Sequence, residues 1–131
     1  MSRNDQDRRT HVRLPLDSNM MVRYGHRGQY YFGSCQNISP GGLFVATKNP
    51  APFGSEIILK FTLPGHESPI SVKGRVVRVN RDMRKSSTNP PAGMHIRFTQ
   101  IPSRTEEQIK RFLMPRLRQH VLRQLAERRQ K

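Results

Sequence analysis

At 131 residues the chain has the size of one domain, and with 34% apolar residues and no tryptophan it holds material for a single compact core. Twenty-four Lys and Arg against nine Asp and Glu give a formal charge of +15, a self-repulsion that points to a polyanionic or phosphate-bearing partner: nucleic acid, anionic lipid, an acidic protein surface or a phosphate-rich small ligand. The single cysteine excludes an intrachain disulfide and a cysteine-built metal centre, no apolar run reaches the length of about eighteen residues that a spanning helix needs, and the amino terminus has no apolar signal core, so a cytoplasmic location is expected.

The first seven residues after which the chain turns basic, Met1 to Asp7, read as a polar flexible tail. In Arg8-Arg9-Thr10-His11-Val12-Arg13 two arginines, Arg9 and Arg13, stand four residues apart. Taken alone, such a run is a solvated basic tail. Leu14-Pro15-Leu16 is extended by its proline and can tuck onto a core edge. Met20 to Tyr24 reads as a first strand, with Gly25 to Gly28 as a turn. Gln29 to Gln36 follows as a second strand with aromatics on both parities, which predicts burial on both faces, and Gly33 inside it marks a bulge or a tight bend.

Asn37-Ile38-Ser39-Pro40-Gly41-Gly42 is a polar turn leading into a third strand, Leu43 to Thr47. Asn37 and Ser39 bring donors and acceptors, Pro40 fixes a φ, and Gly41 and Gly42 allow close approach to the backbone, so the turn can hold a polar ligand. Taken alone, such a turn is one whose side chains satisfy only their own backbone. A proline-rich loop ends the third strand. Glu56 to Leu63 alternates at period two as a fourth strand, and Ile70 to Val79 is a fifth whose apolar phase switches after Val76, as an inserted bulge residue would cause. Residues 81–92 read as a polar loop, and Gly93 to Thr99 as the last strand. Its Arg97 either reaches the Asn37 turn or is solvated.

A helix is predicted from Ser103 as N-cap, with Glu106 at the capping-box position and Ile109, Phe112 and Leu113 covering one open end of the sheet. Pro115 should kink or break it. Residues 114–131 then form a basic amphipathic extension in which Leu117, Val121, Leu122 and Leu125 are set among arginines. This extension can self-associate into a homodimer, dock on a partner, or lie against nucleic acid or acidic lipid.

Arg9-x-x-x-Arg13 followed about two dozen residues later by Asn37-x-Ser39-x-x-Gly42 after a strand resembles the two-part signature of the PilZ domain family, and the resemblance spans about Arg8 to Leu113, including Gly93-Met94-His95-Ile96-Arg97-Phe98. It implies a six-stranded antiparallel β-barrel of the split type with a carboxy-terminal helix, over residues 8–113. It also implies binding of the second messenger cyclic di-GMP, without catalysis and without a cofactor. The implied ligand set is Arg9 and Arg13 on guanine and phosphate, Arg8 as an auxiliary phosphate contact, and Asn37 and Ser39 on a guanine edge. Gly42 would keep the strand edge clear, with Gly41 and Arg97 as further members. Many members of the family carry Asp where this chain has Asn37.

Binding would order the arginine segment and present a new surface to a protein partner. A competing reading is a nucleic-acid-binding basic barrel, possible with or without messenger control. Against it stands the lack of an evident run of surface aromatics interleaved with arginines, with Tyr24, Tyr30 and Tyr31 leaving the point open. The nine carboxylates form no close pair outside Glu106-Glu107, and the histidines lack ligand spacing, so neither a catalytic nor a metal site is expected.

Overall fold

The computed structural model describes residues 13–81 and 91–129, apart from the side chains of residues 17–19. Arg8 and Arg9, the tail before them and most of the loop before the last strand lie outside the described residues. Six antiparallel strands close into a barrel in the order β1-β2-β3-β6-β5-β4. They are β1 (Leu14–His26), β2 (Gln29–Ser39), β3 (Gly42–Ala46), β4 (Glu56–Phe61), β5 (Ile70–Asn80) and β6 (Gly93–Gln100), and a single described helix, α1 (Ser103–Arg129), follows.

The period-two pattern becomes an inside and an outside. In β4, Ile57, Leu59 and Phe61 point inward while Glu56, Ile58 and Lys60 face solvent. Val22, Leu43, Val45, Leu59, Val76 and Met94 are fully shielded at the centre. Tyr24 belongs to this core too. Its Oη donates to the carbonyl of Asn49 at 2.7 Å and shares a second 2.7 Å hydrogen bond with Thr47 Oγ1, so the buried hydroxyl is satisfied and ties the loop after β3 to the barrel.

β1 is longer than its sequence pattern predicts. Leu14 and Pro15 pair with Ile38 and Asn37, and the register slips between Pro15 and Met20, where the proline and the polar residues after it interrupt the ladder. The Leu14 segment is therefore part of the barrel and sets the chain directly beside the Asn37 motif. The turn that follows is tighter than expected: His26 pairs with Gln29, leaving Arg27 (φ 52°) and Gly28 (φ 75°) as a two-residue hairpin loop of the type that matches strand twist.

β2 also departs from expectation. It runs on to Ser39, with its irregularity at Gln36 between Cys35 and Asn37. Gly33 is not the bulge. It packs tightly against β3, where a Cβ would sit 2.3 Å from Val45 Cγ1 and 2.8 Å from the Ala46 carbonyl oxygen. The strand is buried on one face only: Tyr30 and Phe32 are 58% and 63% exposed on the outside. The phase switch in β5 appears as expected, as a register shift between Val76 and Arg78 against β6.

α1 closes one end of the barrel with Ile109, Phe112 and Leu113, whose burial is worth roughly 5 to 9 kcal/mol before entropy is subtracted. The Glu106 amide donates to the Pro102 carbonyl, so Pro102 holds the cap position and Ser103 is the first helical residue, one place earlier than predicted. The helix continues through Pro115 and is not broken there. Beside that proline, Arg116 Nη1 donates to the Phe112 carbonyl at 2.9 Å while its guanidinium lies 4.0 Å from the Phe112 ring centroid. Among the described residues no helix is long and apolar enough to cross a membrane.

Candidate ligand-binding site

The end of β2 and the start of β1 meet because Leu14 and Pro15 pair across from Ile38 and Asn37. That pairing delivers Arg13 to the outer surface above β2 and β3. Arg13 Nη1 donates to Asn37 Oδ1 at 3.1 Å and contacts His95 Nδ1 at 2.8 Å. A guanidinium has no acceptor, so Nδ1 of His95 accepts and its proton resides on Nε2. The two halves of the motif therefore touch, through a third residue that the sequence did not single out.

His95 stands on β6 opposite Phe44 of β3, which in turn stands opposite Asn37 of β2, so register alone lines up Asn37, Phe44 and His95 across three strands. The Phe44 and His95 ring centroids are 4.7 Å apart. Phe44 is only 3% exposed although its register places it on the outside, so an apolar floor lies under the Arg13 contacts. Burial, followed by the charges of Arg13 and Arg78, pushes the His95 pKa down to about 4, which keeps the imidazole neutral and able to accept from Arg13. Partial burial likewise lowers the pKa of Arg13 from its usual value. Arg13 and, across the ladder, Arg78 bring two cations beside His95 with no described carboxylate among these contacts, an arrangement chemically suited to an anion.

The other expected site residues are distributed as follows. Ser39 is 4% exposed, and its Oγ accepts from the Gly41 amide at 3.2 Å and donates to the Gly42 carbonyl at 3.4 Å. Its hydroxyl thus holds the turn. Gly42 is demanded by packing, since a Cβ would fall 2.1 Å from the Ile96 carbonyl oxygen. Gly41 accepts from the Phe98 amide at 2.9 Å, clamping the turn to β6. Arg97 is exposed and pairs with Gly42 on one side and Arg75 on the other, which puts it beside the turn and in line with the positive face. Arg8 and Arg9 lie outside the described residues, ahead of Arg13 on the same segment. His95 was missed because it is 82 residues from Arg13 in sequence, and only strand register brings it there.

Cys35 adjoins this site from the core side, its Sγ donating to the Asn37 carbonyl at 3.2 Å. Cys35 is 1% exposed, and burial pushes its thiol up to about 12, which makes it an inert core side chain. A shallow cleft of about 310 Å³ lined by Tyr24, Tyr31, Lys48, Asn49 and Arg81 opens at the far end of the β1–β2 pair. Among the described residues no group of three or more His, Cys, Asp or Glu could hold a metal ion.

The model of the PilZ domain matches residues 7–114 of the chain. The fold is similar to three solved structures, each of low sequence identity. The Bacillus subtilis inhibitor of motility (MotI/DgrA) superposes with a TM-score of 0.64 at 21% identity, over 87% of this chain and 51% of that one. The PilZ domain of Escherichia coli YcgR with c-di-GMP gives 0.60 at 15%, over 95% and 98%. The K. pneumonia MrkH–c-di-GMP complex gives 0.62 at 16%, over 92% and 54%. The chain thus spans about half the length of the first and last of these and nearly all of the second. The sequence has no match among the curated proteins. The closed six-stranded barrel with its terminal helix, the motif pair joined at Arg13, and a family match covering most of the residues make this chain a member of the PilZ domain family.

Proposed function

We propose that the chain is a receptor for cyclic di-GMP, acting by binding and not by catalysis. The observation that carries this reading is Arg13 held between Asn37 Oδ1 and His95 Nδ1 on an outer face with an apolar floor. Family membership and the cyclic di-GMP named in two of the similar structures support it.

Arg13 is the pivot. Its present partners, a neutral amide oxygen and a neutral imidazole, satisfy it without neutralising it. A phosphate or a guanine O6/N7 edge makes stronger, charge-assisted or bidentate contacts with the same group, worth roughly 1 to 3 kcal/mol each. Arg8 and Arg9 follow the chain onto the ligand from the amino-terminal side. Asn37, released from Arg13, turns its amide to a guanine edge. Ser39 fixes the turn that aims Asn37, and Gly41 and Gly42 keep that turn against β6. Arg97 supplies a further positive group at its margin. Fixing the arginine segment costs about 1 to 2 kcal/mol per residue ordered, so ligand binding and arm ordering are one event. The ordered arm is a new surface that signals to a protein partner in the cytoplasm.

Calorimetric titration with cyclic di-GMP at about 0.15 M salt tests this. Saturable heat from the intact chain, abolished by the Arg9→Ala, Arg13→Ala double change, is the expected result. Equal heat from both proteins would show that the arginines are not the clamp.

A further inference from the structure

On the opposite side of β2 from the Arg13 contacts, the outer surface of the β2-β1-β4-β5 sheet carries an apolar patch that no described element covers. Strand register arranges it in rows: Phe32, Arg23, Lys60 and Ser71 in one, and Tyr30, Gly25, Ile58 and Lys73 in the next. The two rings are 58% and 63% exposed, and Met21 and Ile58 add 56% and 44% exposed apolar surface beside them. Exposure of this kind, clustered, marks an interaction surface. The Arg23 guanidinium lies 4.1 Å from the Tyr30 ring centroid, and the Tyr30 ring leans over Gly25, where a Cβ would be 3.0 Å from its edge. The one described carboxylate on these strands, Glu56, is bound to Arg75 at 3.0 Å at the edge of the patch.

We infer that this face binds single-stranded nucleic acid, with Tyr30 and Phe32 stacking unpaired bases and Arg23, Lys60 and Lys73 following the phosphates. Three observations converge on that occupant. The chain carries +15, so a polyanion is its electrostatic complement. The rings are two residues apart on one strand, roughly 6.6 Å, which gives each its own base on an extended strand. The lysines sit within the rows of rings and not at a distance from them, whereas the core of a protein interface is depleted of lysine. A duplex hides its base faces in the stack, so the rings select the single strand; sequence tolerance follows, since every base has a π-face. The face is set apart from the cyclic di-GMP site by the irregularity at Gln36, and the inference does not depend on that ligand.

The test is fluorescence anisotropy with a labelled oligothymidylate of about 12 nucleotides, a length within the site size of small barrels, against a duplex of equal length. The full chain is expected to bind the single strand at least about 10-fold more tightly than the duplex. Tyr30→Ala with Phe32→Ala is expected to weaken single-strand binding roughly 100-fold, as loss of two stacking contacts predicts, with duplex binding and the thermal unfolding transition unchanged. Phe32→Trp keeps the affinity. Undiminished single-strand binding by the double variant would assign the binding to diffuse charge and overturn the inference. No binding of either oligonucleotide would overturn it as well and leave the patch to a protein partner.

Discussion

His95 illustrates how far one side chain's chemistry depends on neighbours distant in sequence. Its neutral imidazole is maintained by burial first and by Arg13 and Arg78 second. The native pKa of about 4 lies below the ordinary value of 6.5, so the unfolded chain takes up a proton that the folded chain refuses. Stability associated with His95 is therefore present above about pH 6.5 and lost as pH falls toward 4. An NMR titration of the imidazole should show a midpoint near 4, and Arg13→Ala should raise it. His95→Gln should flatten the acid limb of the stability profile between those two values.

Gly42 is a second such residue: the motif reading assigns it to ligand clearance, and the approach of the Ile96 carbonyl requires it regardless of ligand. Gly42→Ala is expected to lower stability by about 1 to 3 kcal/mol in chemical unfolding, because backbone on β6 must move to admit the methyl group.

At the level of elements, hydrophobic periodicity revealed the inner strands and concealed the ends of others. The alternation in Glu56 to Phe61 and the phase switch near Val76 were legible, because a closed barrel enforces one inward parity along each strand. β1 was legible only from Met20 onward, since Pro15 and the polar residues after it break the alternation that pairing with β2 nonetheless tolerates. The exposure of Tyr30 and Phe32 was not legible: aromatics alternate with aromatics there, and only closure of the sheet decides which parity faces water.

The β1–β2 turn offers a direct check on hairpin chemistry. Arg27 has a positive φ, a conformation that asparagine adopts more readily. Arg27→Asn should stabilise the fold by about 0.5 to 1 kcal/mol, read as an increased midpoint in urea. In α1 the buried side chains end at Leu113, and Val121, Leu122 and Leu125 are exposed. Ending the chain after Arg118 should therefore leave the unfolding temperature within a few degrees of the intact protein, whereas Phe112→Ala should cost about 3 to 5 kcal/mol.

For the whole molecule, the candidate site is a product of closure. The Arg9 and Arg13 spacing and the Asn37, Ser39 and Gly42 spacing were legible as a pair because both lie in short contiguous segments. Their third member was not, since β6 reaches β3 only when the barrel shuts. The +15 charge is distributed so that one face presents Arg13, Arg78 and Arg97 around an apolar floor and another presents Arg23, Lys60 and Lys73 around exposed rings. On the proposed readings, one chain carries a compact anion site and an extended one, on two sides of a common strand.

The most direct test of the account is to map cyclic di-GMP by NMR on the full chain, following the His95 imidazole, the Arg13 guanidinium and the Asn37 side-chain amide through the titration. The account predicts that all three signals move together and saturate at one ligand concentration, while Tyr24 and Tyr31 beside the far cleft stay in place. Movement confined to the Tyr24 and Tyr31 cleft, with Arg13 still held by His95, would contradict it.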